Sequence, residues 1–163
     1  MPILKVNDTY SFILSENLFC DYFMVKDELK EINKDNKQED LFVLNNFDLI
    51  ARGGLLKYTQ LPWLDEFKLK YEEALMPVIL PQVQKVYDSG DYKKALEITR
   101  IVLSIDPFNA EAIKYKLKAL RRIKGIEYAR AVYDEFIIEY KRSLDVDYPI
   151  SFDKICSNKT ERQ

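Results

Sequence analysis

The chain contains no histidine. That absence removes the usual general base near neutral pH, the commonest metal ligand, and the partner in every Ser-His or Cys-His nucleophile pair. Cysteine is almost as scarce. Cys20 and Cys156 are the two thiols present, and two cannot build a zinc site or a disulfide framework by themselves. They read as one core thiol and one tail thiol in a reducing compartment. Four glycines in 163 residues leave little room for glycine-rich phosphate loops or tight β-meanders. Gly53-Gly54 is followed by neither the lysine nor the hydroxyl that a phosphate loop uses, so it reads as a turn. No apolar run reaches the roughly 18 residues that cross a bilayer, and Met1 to Leu14 has no signal-like apolar core. A cytoplasmic chain, or the cytoplasmic part of a larger protein, is expected, with no membrane contact by this segment. The net charge of −2 does not make the whole chain a polyanion binder.

The acids offer no catalytic pair either. Asp65-Glu66 and Glu72-Glu73 are neighbours in sequence, so on a helix they diverge and suit its dipole better than a substrate. Catalytic, cofactor-binding and metal sites are all expected to be absent. The composition, 47% apolar and 32% charged, fits one ordinary globular domain that buries about two-thirds of its unfolded surface. The sequence therefore excludes more chemistry than it offers, and the expectation is a protein that is not an enzyme.

Periodicity carries the positive information. Ile3 to Val6 and Thr9 to Leu14 are β-prone runs around Asn7-Asp8, the pattern of a hairpin. A lone hairpin is marginal in water, so it must pack on the rest of the chain or on a domain outside the sequence. From Leu18 the pattern turns helical. Phe19, Phe23, Leu29 and Ile32 mark one helix, and Leu41, Leu44, Phe47 and Ile50 a second. Trp63 to Ser89 reads as a long helical region in which Pro77 and Pro81 predict a kink or a break. Three further helices succeed it. Asp91 caps one with the face Ala95, Ile98, Thr99, Val102 and Leu103. Asn109 caps the next, with Ile113, Leu117 and Leu120 as its ridge, and Gly125 ends it. The last, to about Arg142, carries Ala129, Val132, Tyr133, Phe136, Ile137 and Tyr140 within an arc of about 140°. The tail from Ser143, with Tyr148-Pro149-Ile150-Ser151-Phe152, is extended around the proline and packs back on that helix.

The segments Gly90-Asp91-Tyr92-Lys93-Lys94-Ala95-Leu96 and Lys124-Gly125-Ile126-Glu127-Tyr128-Ala129-Arg130 read alike, and their alanines lie 34 residues apart. A small residue with bulky ones farther along supplies a close-approach point and knobs for two crossing helices. A period near 34 is that of the tetratricopeptide helix pair, which hides its apolar face only by stacking on a neighbour. The fold class predicted is all-α: a tetratricopeptide-like right-handed stack of about three helix pairs with a short N-terminal β-hairpin. The expected division is a hairpin over 1–17, helical domain over 18–142 and tail over 143–163. Such surfaces bind partners rather than transform substrates.

Two surface features are candidates for that binding. Lys114, Lys116, Lys118, Arg121, Arg122 and Lys124 fall within eleven residues with no acid among them. On a helix Lys114, Lys118, Arg121 and Arg122 share an arc of about 100° opposite the ridge, where they either stand in solvent or meet phosphates or an acidic partner. Lys116 falls inside the apolar arc and must snorkel, pair with a carboxylate, or point into a groove. Trp63, the single tryptophan, either anchors the loop before it or is an exposed hot spot.

Residues from about Leu18 to Phe152 resemble the bacterial transcriptional activator domain, the tetratricopeptide-like module of SARP-type regulators. The resemblance lies in Gly54-Leu55-Leu56, then Leu61-Pro62-Trp63-Leu64-Asp65-Glu66-Phe67, then Gly90 to Leu96, then Asp106-Pro107 and the helix of Ala129, Val132 and Tyr133. It implies a module that comes after a winged-helix DNA-binding domain, whose last hairpin Met1 to Leu14 is similar to. It further implies non-catalytic self-association or contact with the transcription machinery, RNA polymerase included, and DNA binding only through that missing domain. The two prolines of the long helix and the Tyr148-Pro149 tail depart from the family. The alternative is a free-standing tetratricopeptide adaptor for a peptide or protein.

Overall fold

The computed structural model describes residues 3–6, 9–12, 25, 50, 60 and 62–156. Strand β1 (Ile3–Val6) pairs antiparallel with β2 (Thr9–Phe12), Ile3 opposite Phe12 and Val6 opposite Thr9. Asn7-Asp8, most of the two helices expected between Leu18 and Ile50, and the Gly53-Gly54 turn lie outside the described residues, as does the 17/18 boundary. Val25 and Ile50 are described; both are helical and buried.

Helix α1 spans Pro62–Asp88. Proline at its first position costs nothing there, because that amide has no acceptor in a helix start. Of the kink or break expected at Pro77 and Pro81, the break does not occur: the helix runs through both. The reason lies in their placement: the two prolines are four residues apart and both exposed. The carbonyls of Glu73 and Pro77, deprived of their amide partners, therefore lie on the watery side, where solvent can hydrogen-bond them. The opposite face buries Tyr71, Leu75, Val78, Ile79, Gln82, Val83 and Tyr87, a helical spacing of three and four.

Helix α2 (Tyr92–Ile105) starts where Gly90 takes φ +88° and Asp91 accepts a hydrogen bond from the Lys94 amide at 3.0 Å. Its ending explains the Asp106-Pro107-Phe108-Asn109 sequence. One Asp106 carboxylate oxygen accepts from the Phe108 amide (3.2 Å) and the other from Asn109 Nδ2 (3.1 Å). Asn109 Oδ1 in turn accepts from the Ala112 amide at 3.0 Å, capping α3 (Ala110–Lys124). Proline, which cannot continue the α2 ladder, sits between these two side-chain caps. Gly125 at φ +93° both ends α3 and begins α4 (Ile126–Leu144). A short α5 (Phe152–Cys156) closes the described chain.

The helices pack in order: α1 on α2, α2 on α3, α3 on α4, with α3 also touching α1 and α5. Helix α3 is central to this arrangement because it is buried on two sides. Ala112, Tyr115 and Ala119 join the core of α1, α2, Val25 and Ile50. Ile113, Leu117 and Leu120 join a second core with Ala129, Tyr133, Phe152, Ile155 and Cys156. Leu96 and Leu103 of α2 pack against both. Ala95 and Ala129, the two alanines of the repeat, are each fully buried, one in each core. Thr99, also fully buried, satisfies its hydroxyl on the Leu96 carbonyl at 2.9 Å. The described part is thus predominantly helical, and among the described residues no helix is long and apolar enough to cross a membrane.

Candidate interaction surface

The basic stripe is less of a free surface than its spacing implies. Burial on two sides leaves α3 a narrow outer arc, and Lys114, Lys118 and Arg121 are half-buried on it, with Arg122 exposed. Lys114 Nζ stands 5.0 Å from the centre of the Tyr115 ring. Lys118 Nζ stands 5.8 Å from both Tyr115 and Tyr87. Tyr87 in turn packs against Tyr92 and Tyr115, with centroids 5.2 and 5.3 Å apart. The two lysines therefore lay their charge over a buried tyrosine group, and such contacts favour the cation where it is partly desolvated. Burial, with Asp88, Glu111 and Tyr87 adding to it, pushes the Tyr115 hydroxyl up to about 12, so this ring stays neutral. Lys116 is half-buried, which fits a stem laid along the apolar arc with its ammonium outside. Helix α1 includes Trp63, but its side chain lies outside the described residues, and so does the choice between anchor and hot spot.

Arg121 has a different task. Its guanidinium donates to the carbonyl of Cys156, across 35 residues, and so ties α3 to the end of α5. Around it the segment from Tyr148 to Cys156 forms a strap over the groove between α3 and α4. Phe152, Ile155 and Cys156 insert at positions i, i+3 and i+4, the spacing of one face of a helix docked in a groove. Tyr133 Oη donates to the Ile150 carbonyl at 2.9 Å. Arg130 Nη2 meets Asp153 Oδ1 at 3.0 Å, and its guanidinium carbon lies 4.4 Å from the centre of the Phe152 ring. Upstream, Tyr148 is packed edge-on to Phe136 and Tyr140 at 5.0 and 5.1 Å, and Phe108 to Tyr140 at 5.3 Å. Burial raises the hydroxyls of Tyr148 and Tyr133 above the usual tyrosine range. The Tyr148 oxygen is buried with no hydrogen-bond partner among the described residues.

Burial also raises the Cys156 thiol, although Arg121, Lys118 and Arg130 pull it the other way. The thiolate that would react is thus disfavoured. Among the described residues no group of acids and cysteines could hold a metal ion.

The extended tail packs back on the last helix, as its apolar residues suggest. Periodicity misses its ending in a helix, the roles of Arg121 and Arg130, and the docking of Ile155 and Cys156. Five residues are too few for a helical period to declare itself, and a helix that short has no stability of its own in water. The signal present is Ser151 ahead of Phe152, Ile155 and Cys156, a capping residue before one apolar face.

Compared with protein-family models, with curated proteins and with solved structures, the chain finds no match.

Proposed function

We propose that the chain is a non-catalytic protein-interaction module in which tetratricopeptide-like helix pairs stack in tandem and offer their flanks to partners. The observation that carries this reading is the double burial of α3 between two successive cores. In a closed bundle all helices share one core, whereas in a tandem stack each inner helix serves the core before it and the core after it. The position of α5 suits the same reading. It covers α3 and the start of α4 as α3 itself covers α1 and α2, which is what an end cap of such an array does. By its sequence resemblance the module serves a bacterial DNA-binding transcriptional regulator, through self-association or contact with RNA polymerase, with a winged-helix domain responsible for any DNA binding. Purified chain titrated against RNA polymerase in an interferometry assay, and sedimented alone over a concentration series, tests this. Binding or a reversible dimer supports the reading, and a strict monomer that ignores the polymerase sinks the transcriptional part.

The alternative, a free-standing adaptor for a peptide or protein, is favoured by one specific observation: the α3–α4 groove already holds a short peptide-like segment of the chain itself. A peptide array with fixed full-length chain separates the two, since an adaptor selects apolar anchors at helical spacing from sequences unrelated to transcription.

A further inference from the structure

We infer that the strap Tyr148–Cys156 can leave its own groove and dock in the α3–α4 groove of a second copy, so that the chain self-associates by exchanging this segment. The inference rests on the reading of this face as a docking surface and names its partner. Four features of the structure converge on it.

The first is that the docked interface is self-contained. Tyr148, Ile150, Phe152, Ile155 and Cys156 pack against Ile113, Leu117, Leu120, Ala129, Tyr133, Phe136 and their neighbours, and the polar ties to Arg121, Arg130 and Tyr133 all reach across to α3 and α4. Every one of these contacts is reproduced when the groove belongs to another copy. The second is the connection. Three residues separate Leu144 from Tyr148, where the strap begins, and fully extended the four steps between them reach about 13 Å, enough to cross the 8–10 Å between packed helices. Pro149 holds Tyr148 away from helical geometry, so the strap meets this link in an extended conformation.

The third is strain at the fold-back point. Asp145 is the only non-glycine residue with positive φ among the described residues (φ 56°, ψ 25°). A left-handed residue is disfavoured on the order of tenfold for most side chains, less for aspartate. If Asp145 instead took helical angles, α4 would continue past Leu144, the strain would vanish, and the strap would point away from its own groove. Short strained hinges of this kind favour segment exchange. The fourth is the exposed apolar group beside the hinge. Ile138, Leu144 and Val146 are 68%, 46% and 53% exposed, on and just beyond the stretch of α4 that two exchanging copies would bring side by side.

The test uses full-length chains carrying Arg130→Asp or Asp153→Arg. Each variant alone sets like charges against each other, whether its strap is closed or exchanged with an identical copy. In an exchanged heterodimer both contacts match. The native Asp153 of one strap meets the native Arg130 of the other groove, and the arginine introduced on the second strap meets the aspartate introduced in the first groove. Mixed equimolar at low salt and weighed by native mass spectrometry, the two should give heterodimer enriched roughly tenfold over the statistical mixture. Dimers in statistical proportion overturn the exchange and leave self-association standing; monomers alone overturn the exchange without touching the binding of other proteins. The hinge supplies a second measurement on otherwise unchanged chains. Asp145→Ala, which resists the left-handed region, should raise the dimer fraction several-fold, and Asp145→Gly, which accepts it freely, should lower it. Equal fractions, or the opposite order, overturn the proposal.

Discussion

Replacing Ala129 by leucine probes the close approach on which the second core depends. Ala129 is fully buried, near the start of α4, in a core with Ile113, Leu117, Leu120, Tyr133 and Phe152. Leucine adds three carbons at a point where no direction leads to solvent, so the helices must part or a neighbour must leave its rotamer. Overpacking of this kind costs about 1–3 kcal/mol. In a chain of 163 residues each kcal/mol lowers Tm by about 2–4 °C, so the melting point should fall by roughly 2–12 °C. Ala131, two residues on and exposed, is the control. The same change there should stay within about 0.5 kcal/mol. Thermal melts followed by far-UV circular dichroism read both. Ala95→Leu should behave as Ala129→Leu does, because Ala95 is equally buried in the first core. Equal melting points for Ala129→Leu and Ala131→Leu would defeat this explanation, since the cost would then not depend on the contact.

Asn109→Ala should destabilise the chain by about 1 kcal/mol in denaturant titration, because it removes the cap on the Ala112 amide. Tyr115 contributes a pH dependence whose sign comes from its raised value. Its folded hydroxyl holds its proton to about 12, while the unfolded one releases it near 10. This contribution to stability is therefore complete below about pH 10 and disappears as pH rises toward 12. Tyr115→Phe should flatten that alkaline decline in urea midpoints measured across the range. In a Cys20→Ser background Cys156 should react with a thiol reagent only through opening of the strap. Tyr148→Ala, which removes the strap's contacts with Phe136 and Tyr140, should accelerate the reaction several-fold while far-UV circular dichroism still reads a folded chain.

The described helices are largely legible in the sequence because their signals are local. Asp91, Asn109, Gly90 and Gly125 announce caps, and the Asp106-Pro107 stop sits between two long amphipathic patterns. The face of α4 is equally plain, since Ala129, Val132, Tyr133, Phe136 and Ile137 all pack on one core. Three features are not local, and periodicity alone misreads or misses them. Continuity of α1 through Pro77 and Pro81 depends on which way the prolines face, and that is set by the core they turn away from. The two-sided burial of α3 is hidden because Ala112 and Ala119 are too small to mark a face and Tyr115 stands well away from the ridge of Ile113, Leu117 and Leu120. In the fold Ala112, Tyr115 and Ala119 form a second face. That second face also explains the basic stripe: with two faces covered, Lys114, Lys118 and Arg121 are pressed against tyrosines and the strap. The partners of Arg121 and Arg130 lie 35 and 23 residues away, beyond the reach of any periodic pattern.

If successive helix pairs share a continuous interior through α2 and α3, Leu96 and Leu103 must touch both halves of it. Methyl-selective nuclear Overhauser spectra of the full chain read that contact without any substitution. Cross-peaks are expected from these two leucines to residues of both cores, for example Ala112 or Ile101 on one side and Ile113 or Leu117 on the other. Cross-peaks confined to one set, with the α4 side silent, would rule out a shared interior.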